Sequence, residues 1–94
     1  MNISEIPEAF SSTLRIKIIA ALINSSKTFN ELLDITQATR GNLSVQLTKL
    51  EEWGFISSNK IIDKKRTKST YELKAYGLNQ FEEYIAVLQS VLKS

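Results

Sequence analysis

Two groups of side chains in this sequence have types and spacing that suit binding to a polyanion. The first lies between positions 40 and 49. On a wheel of about 100° per residue, Leu43, Leu47 and Leu50 fall on one side. Gly41, Asn42, Val45, Thr48 and Lys49 fall on the other, together with Glu52 at the far end. Arg40 stands at the N-terminal end of that face and Ser44 on its flank. Small residues there permit close approach to a groove, and Arg, Asn, Ser and Thr can bond base edges or phosphates. The N-terminal half of such a helix is where base contacts concentrate, and its free N–H groups favour phosphate oxygens. An ordinary amphipathic surface helix would show the same polarity, so this face needs a second feature beside it.

The second group supplies it. Lys60, Lys64, Lys65, Arg66 and Lys68 crowd into nine residues with a single acid, Asp63. Long cations on a hairpin tip suit phosphate or minor-groove contact, and neutralising phosphates gives a steep salt dependence. From Arg40 to Lys74 there are eight basic and four acidic residues, a balance of +4, within a chain of net charge +2. The rest of the chain is therefore net negative. Positive charge is concentrated on the half that carries both groups, the electrostatic footprint of a nucleic-acid binder. A solvated turn is the bland reading of the cluster, and it is denser than a turn needs.

The elements that must position these groups follow from pattern. Leu14 to Ile23 is an apolar run at helical spacing, with Ser12 or Thr13 as its N-cap, and should be buried on most sides. Pro7 suits the first turn of a short N-terminal helix. Thr28-Phe-Asn-Glu31 is a capping box that opens a helix carrying Phe29, Leu32 and Leu33 inward and ending near Thr36. Gln37 to Thr39 is a tight turn. The next helix begins at Thr39 or Arg40 and stops at Gly54. Phe55 to Ile62 reads as a strand, Asp63 to Lys68 as a polar loop and Ser69 to Leu73 as the return strand. From Ala75 the chain is helical again, with Leu78, Phe81, Tyr84, Ile85, Leu88, Val91 and Leu92 at 3,4 spacing. Trp53 and Phe55 could stack on bases, but packing between helix and sheet is the favoured role. Tyr71 could equally meet phosphate or sit half-buried in its strand.

The 94 residues are expected to make one domain with a small core. There is no Cys and no His, which excludes disulfides, thiolate or imidazole metal sites, and Cys or His catalysis. No glycine-rich phosphate loop occurs and the carboxylates are scattered, so no enzyme is expected. No apolar run reaches the ~18 residues of a membrane span. The first residues lack a basic start and a long apolar stretch, as a signal peptide would have. The absence of Cys fits a reducing compartment, and a cytoplasmic location is expected.

Helix, turn, helix, strand, basic loop and strand, in that order, form a helix-turn-helix with an appended hairpin. Four stretches carry a resemblance over about residues 10–93: Leu14-Arg-Ile-Lys-Ile-Ile, Phe29-Asn-Glu-Leu, Gly41 through Ile56, and Arg66-Thr-Lys-Ser-Thr-Tyr-Glu-Leu. In these the chain resembles the MarR/ArsR-like winged-helix transcriptional regulators, of the short single-domain kind with an added C-terminal helix. The resemblance implies a mainly α fold with a small β-hairpin, the winged helix-turn-helix plus a C-terminal helix. It implies sequence-selective binding of double-stranded DNA as a homodimer. Base contacts would come from positions within Arg40 to Lys49, and wing contacts from Lys64, Lys65, Arg66 and Lys68. The chain departs from the family in three ways. It lacks the Cys and His of the metal sensors, so no metal or other cofactor is implied. It has too little length for a separate effector domain. Lys74 stands where a capping Thr usually precedes the last helix. The helix from about 75 to 93 is expected to make the dimer, through Phe81, Tyr84, Ile85, Leu88, Val91 and Leu92. Its apolar face is wider than a small core needs, and monomers avoid leaving such a face exposed. The rival reading is a winged helix used for protein–protein contact without DNA, since fold does not fix function.

Overall fold

The computed structural model describes residues 1–93. Two short 3₁₀ turns, Ile3–Glu5 and Glu8–Ser11, take the place of the short N-terminal helix expected around Pro7, which caps the second turn. Helix α1 then spans Thr13–Ala21, with the Ser12 hydroxyl accepting from the Arg15 N–H at 3.3 Å. It ends two residues before the expected Ile23. Ile18 and Ile19 are fully buried and Leu22 nearly so, whereas Ala20 and Ile23 are exposed, so the burial is one-sided rather than general.

A two-residue strand β1, Lys27–Thr28, precedes helix α2, Phe29–Thr36. The capping box is present: the Glu31 N–H donates to Thr28 Oγ1 at 3.1 Å and the Thr28 N–H to Glu31 Oε1 at 2.8 Å. The bond from the Thr28 N–H, then that from its hydroxyl, holds the Glu31 carboxyl below the ordinary carboxylate range. Gln37 ends α2 in the left-handed region at φ 57°, its side chain donating to the Asp34 carbonyl at 2.7 Å. That single left-handed residue turns the chain into helix α3, Arg40–Glu52, which Thr39 caps by accepting from the Asn42 N–H.

The end of α3 explains how the sheet is launched. Gly54 takes φ +79°, and its N–H donates to the Glu51 carbonyl while that of Phe55 donates to Leu50. This pair of bonds is a Schellman closure, which needs a residue free of β-carbon strain at that glycine. It drops Phe55 and Ile56 straight into the core, at 3% and 1% exposure. Strand β2, Ile56–Asp63, pairs antiparallel with strand β3, Arg66–Leu73, from Ile56↔Leu73 to Asp63↔Arg66. Strand β1 adds to the other side of β3 through Lys27↔Tyr71, giving the order β1-β3-β2.

The hairpin is longer than the sequence pattern suggests. The expected six-residue loop from Asp63 to Lys68 is only the two-residue turn Lys64-Lys65, and Arg66, Thr67 and Lys68 belong to β3. The far half of the ribbon projects into solvent, so it has no apolar face to alternate with a polar one. Period-2 patterning therefore could not mark it, while opposite charges at Asp63 and Arg66 stand directly across the ladder.

Helix α4, Ala75–Lys93, closes the fold, starting where expected although Lys74 replaces a capping Thr. Gly77 lets its first turn approach the sheet root: a β-carbon there would lie 2.3 Å from the Phe55 carbonyl oxygen. An aromatic cluster joins α4 to the N-terminal segment. Phe10 stacks on Tyr84 with 4.5 Å between centroids and 6° between planes, and meets Phe55 edge-on at 5.7 Å. The whole is elongated, 54 Å against 25 and 21 Å. No helix among the described residues is long and apolar enough to cross a membrane.

Candidate nucleic-acid interface

Leu43, Leu47 and Leu50 are buried, at 0%, 2% and 0%, and so fix the rotation of α3. Arg40, Gly41, Asn42, Ser44, Val45, Thr48 and Lys49 are all exposed, and Glu52 with them. Three of these side chains are already engaged, among them Asn42, whose Oδ1 accepts from Gln46 at 3.5 Å. Arg40 folds back on α2, donating to Asn30 Oδ1 at 3.2 Å with its guanidinium 5.7 Å from the Phe29 ring centroid. Thr48 donates its hydroxyl to the Ser44 carbonyl at 3.0 Å. Val45, 52% exposed, is the apolar member of the face. Gly41 is unusual in a different way. A β-carbon added to it would meet nothing within 4 Å, so the fold itself does not ask for a glycine there.

The root of the wing is tied to α3, because Ser58 donates its hydroxyl to Glu51 Oε1 at 2.8 Å. The wing cations do not form a single face. Side chains alternate along a strand, so the ladder puts Lys60 and Ile62 with Thr67 and Ser69 on one side, and Asp63, Arg66 and Lys68 on the other. Lys68 is ion-paired with Asp63 at 2.8 Å, both half-exposed. Lys68, expected among the phosphate-binding cations, is thus paired within the hairpin in the free protein, a surface ion pair worth little. Lys64 and Lys65 stand at the tip, exposed, with φ of 51° and 66°. Side chains in that region are crowded by their own backbone, and Asn-Gly is the usual solution. Two lysines are found here instead.

Trp53 and Phe55 are not stacking platforms. Phe55 is buried, and Trp53 is half-buried with the Arg15 guanidinium 5.3 Å above its ring. Tyr71 is half-buried against the core. The expectations for α4 divide. Phe81, at 8% exposure, lies in the core rather than on the expected dimer face, and Tyr84, half-buried, packs one ring face on Phe10. Ile85, Leu88, Val91 and Leu92 are exposed, at 40%, 41%, 47% and 86%. Leu78, which shares their 3,4 spacing, is 38% exposed.

Two residues of this region escaped the sequence reading. Arg15 is 6% exposed and Gln46 half-buried, and they meet at 2.5 Å. Their spacing carried the signal. Arg15 lies three and four residues before Ile18 and Ile19, and Gln46 lies three after Leu43 and four before Leu50, so both belong to inward stripes.

Comparison with known proteins decides the kind of domain. Residues 14–92 match the family described as a winged helix DNA-binding domain. The chain belongs to that family. An uncharacterised protein of Methanocaldococcus jannaschii is 35% identical over 86 residues, covering 90% of this chain and 94% of that one. A transcriptional regulator of the MarR family from Enterococcus faecalis superposes with a TM-score of 0.77 at 14% identity, over 88% of this chain and 76% of that one. PadR of Bacillus subtilis, in complex with operator DNA, gives a TM-score of 0.71 at 19% identity. This winged-helix domain covers 79% of its own length in that match and about half, 48%, of the PadR chain. The likeness to MarR/ArsR-like regulators holds at the level of fold, and the family is that of a winged-helix DNA-binding domain.

Proposed function

We propose that this winged-helix domain is a sequence-specific regulator of transcription that binds duplex DNA as a homodimer. Helix α3 enters the major groove, and Asn42, Ser44, Val45 and Lys49 face the bases, with Arg40 swinging from Asn30 to a phosphate. Val45 offers a methyl-sized apolar contact of the kind that reads thymine. The wing tip meets the backbone or minor groove through Lys64 and Lys65, with Arg66 beside them. Ile85, Leu88, Val91 and Leu92 of α4 pack against the same residues of a second copy, an isologous contact. That two-fold relation would set two α3 helices roughly 34 Å apart, one DNA turn.

The observation that carries the reading is Gly41. A glycine inside a helix costs roughly 0.5–1 kcal/mol against alanine, and nothing within 4 Å of its missing β-carbon requires it. It lies in the first turn of α3 on the face opposite Leu43 and Leu47. A surface that must approach a bulky partner closely accounts for the missing side chain, and the neighbouring cations make that partner an anion. Selection of bound sequences from a pool of random duplexes tests this. A symmetric site with two half-sites about one turn apart is expected, and Asn42→Ala or Val45→Ala should blur it. A pool that emerges with no preferred sequence would instead favour the protein–protein reading.

A further inference from the structure

A buried cation without an acidic partner stands directly behind the exposed face of α3. Arg15 donates from Nε to the Ala9 carbonyl at 3.1 Å and from Nη2 to the Glu8 carbonyl and Ser11 Oγ, both at 3.0 Å. Trp53 covers its face. Neither ion pair among the described residues includes it. Its remaining contact is with Gln46, where Nη1 donates to Oε1 at 2.5 Å. A guanidinium can only donate, so Gln46 must turn its oxygen inward and its amine outward. A charge-assisted bond to a donor-only partner holds the amide in one orientation. The outward amine then donates to Asn42 Oδ1, at a longer 3.5 Å. Arg15, Gln46 and Asn42 thus form a directed chain from the core to the exposed face.

The direction has a chemical consequence. An asparagine that reads adenine needs both halves of its amide, the amine to N7 and the oxygen from N6. Here a long contact of 3.5 Å draws the oxygen back towards Gln46 and turns the amine outward as the leading group Asn42 presents, with one lone pair of the oxygen still open. We infer that Gln46, gripped by Arg15, is a positioning residue for specificity: it makes Asn42 a donor that selects an acceptor edge, guanine N7 and O6 first, over the two-bond contact to adenine. The inference rests on the proposed placement of α3 in the major groove.

Two variants test it. Gln46→Glu keeps a partner for Arg15, so the buried cation stays answered. A carboxylate can only accept, so Asn42 must turn its amine inward and show its oxygen. Base preference at the position Asn42 reads should then move from guanine towards a donor edge, cytosine N4 or adenine N6. Gln46→Met removes both bonds at similar volume, and adenine should gain on guanine at that position by about tenfold or more. The readouts are bound sequences selected from random duplexes by each variant, with thermal melting of the free proteins. The position is identified as the one whose preference Asn42→Ala erases. A purely structural Gln46 would lower melting temperature and weaken binding to every duplex together, leaving base preference unchanged. Unchanged preference at that position in both variants, while Asn42→Ala erases it, overturns this inference alone. A wild-type protein that selects no sequence overturns it together with the proposed function.

Discussion

Replacing the wing tip Lys64-Lys65 by Asn-Gly separates what the fold wants there from what binding wants. Both lysines hold positive φ, 51° and 66°, because a two-residue link between β2 and β3 must match the twist of the paired strands. A β-carbon in that region costs roughly 1–2 kcal/mol per residue. Asn at the first position relieves about half of that, since it tolerates the conformation better. Gly at the second relieves all of it but loses roughly 0.5–1 kcal/mol to the greater freedom of the unfolded chain. The net gain is about 1–2 kcal/mol. For a chain of this size it should raise the melting temperature by roughly 5–10 °C. The same change removes two exposed cations. If both neutralise phosphates, the slope of log K against log salt should flatten by about 1.8 per protomer. Thermal melting and a salt series on one duplex read the two effects. The control Lys64→Gln with Lys65→Gln keeps the strained backbone and should flatten the slope without raising the melting temperature. A melting temperature that stays or falls in the Asn-Gly variant refutes the strain argument. A slope that does not move in either variant refutes phosphate contact by the tip.

Three further outcomes follow from the packing. Gly41→Ala should stabilise the free protein by up to about 1 kcal/mol while weakening DNA binding; equal or tighter binding would remove the close-approach argument. Gly77→Ala should destabilise by roughly 2–3 kcal/mol, because the new β-carbon meets the Phe55 carbonyl, which the Lys74 N–H also holds at 2.9 Å. A melting temperature within a degree or so of wild type would show that α4 can shift away. Ile85→Asp with Leu88→Asp should leave a folded monomer with weak DNA binding. Sedimentation of the wild type as a monomer at micromolar concentration would end the dimer proposal.

What the sequence by itself determined is the part governed by local rules. The order helix, turn, helix, hairpin, helix was legible because each boundary has a short-range cause. Thr28 and Glu31 cap each other, Thr39 caps α3, and Gly54 alone can close it. The outward face of α3 followed from the 3.6-residue period once Leu43, Leu47 and Leu50 were taken as inward. Tertiary structure decided what those rules leave open. The wheel of α4 groups Phe81 and Tyr84 with Ile85 and Leu88, yet the first two are taken up by Phe10 and the core. Which part of a wide apolar face is used depends on what folds against it, and Phe10 is more than seventy residues away in sequence. The pairing of Lys68 with Asp63 depends on hairpin register, which a count of cations does not contain. The same holds for Arg15. A charged residue in an apolar helix reads as solvent-facing, because burying a cation is costly unless its donors are met. Only the docking of the N-terminal turns and α3 supplies the two carbonyls, the hydroxyl and the Gln46 amide that meet them.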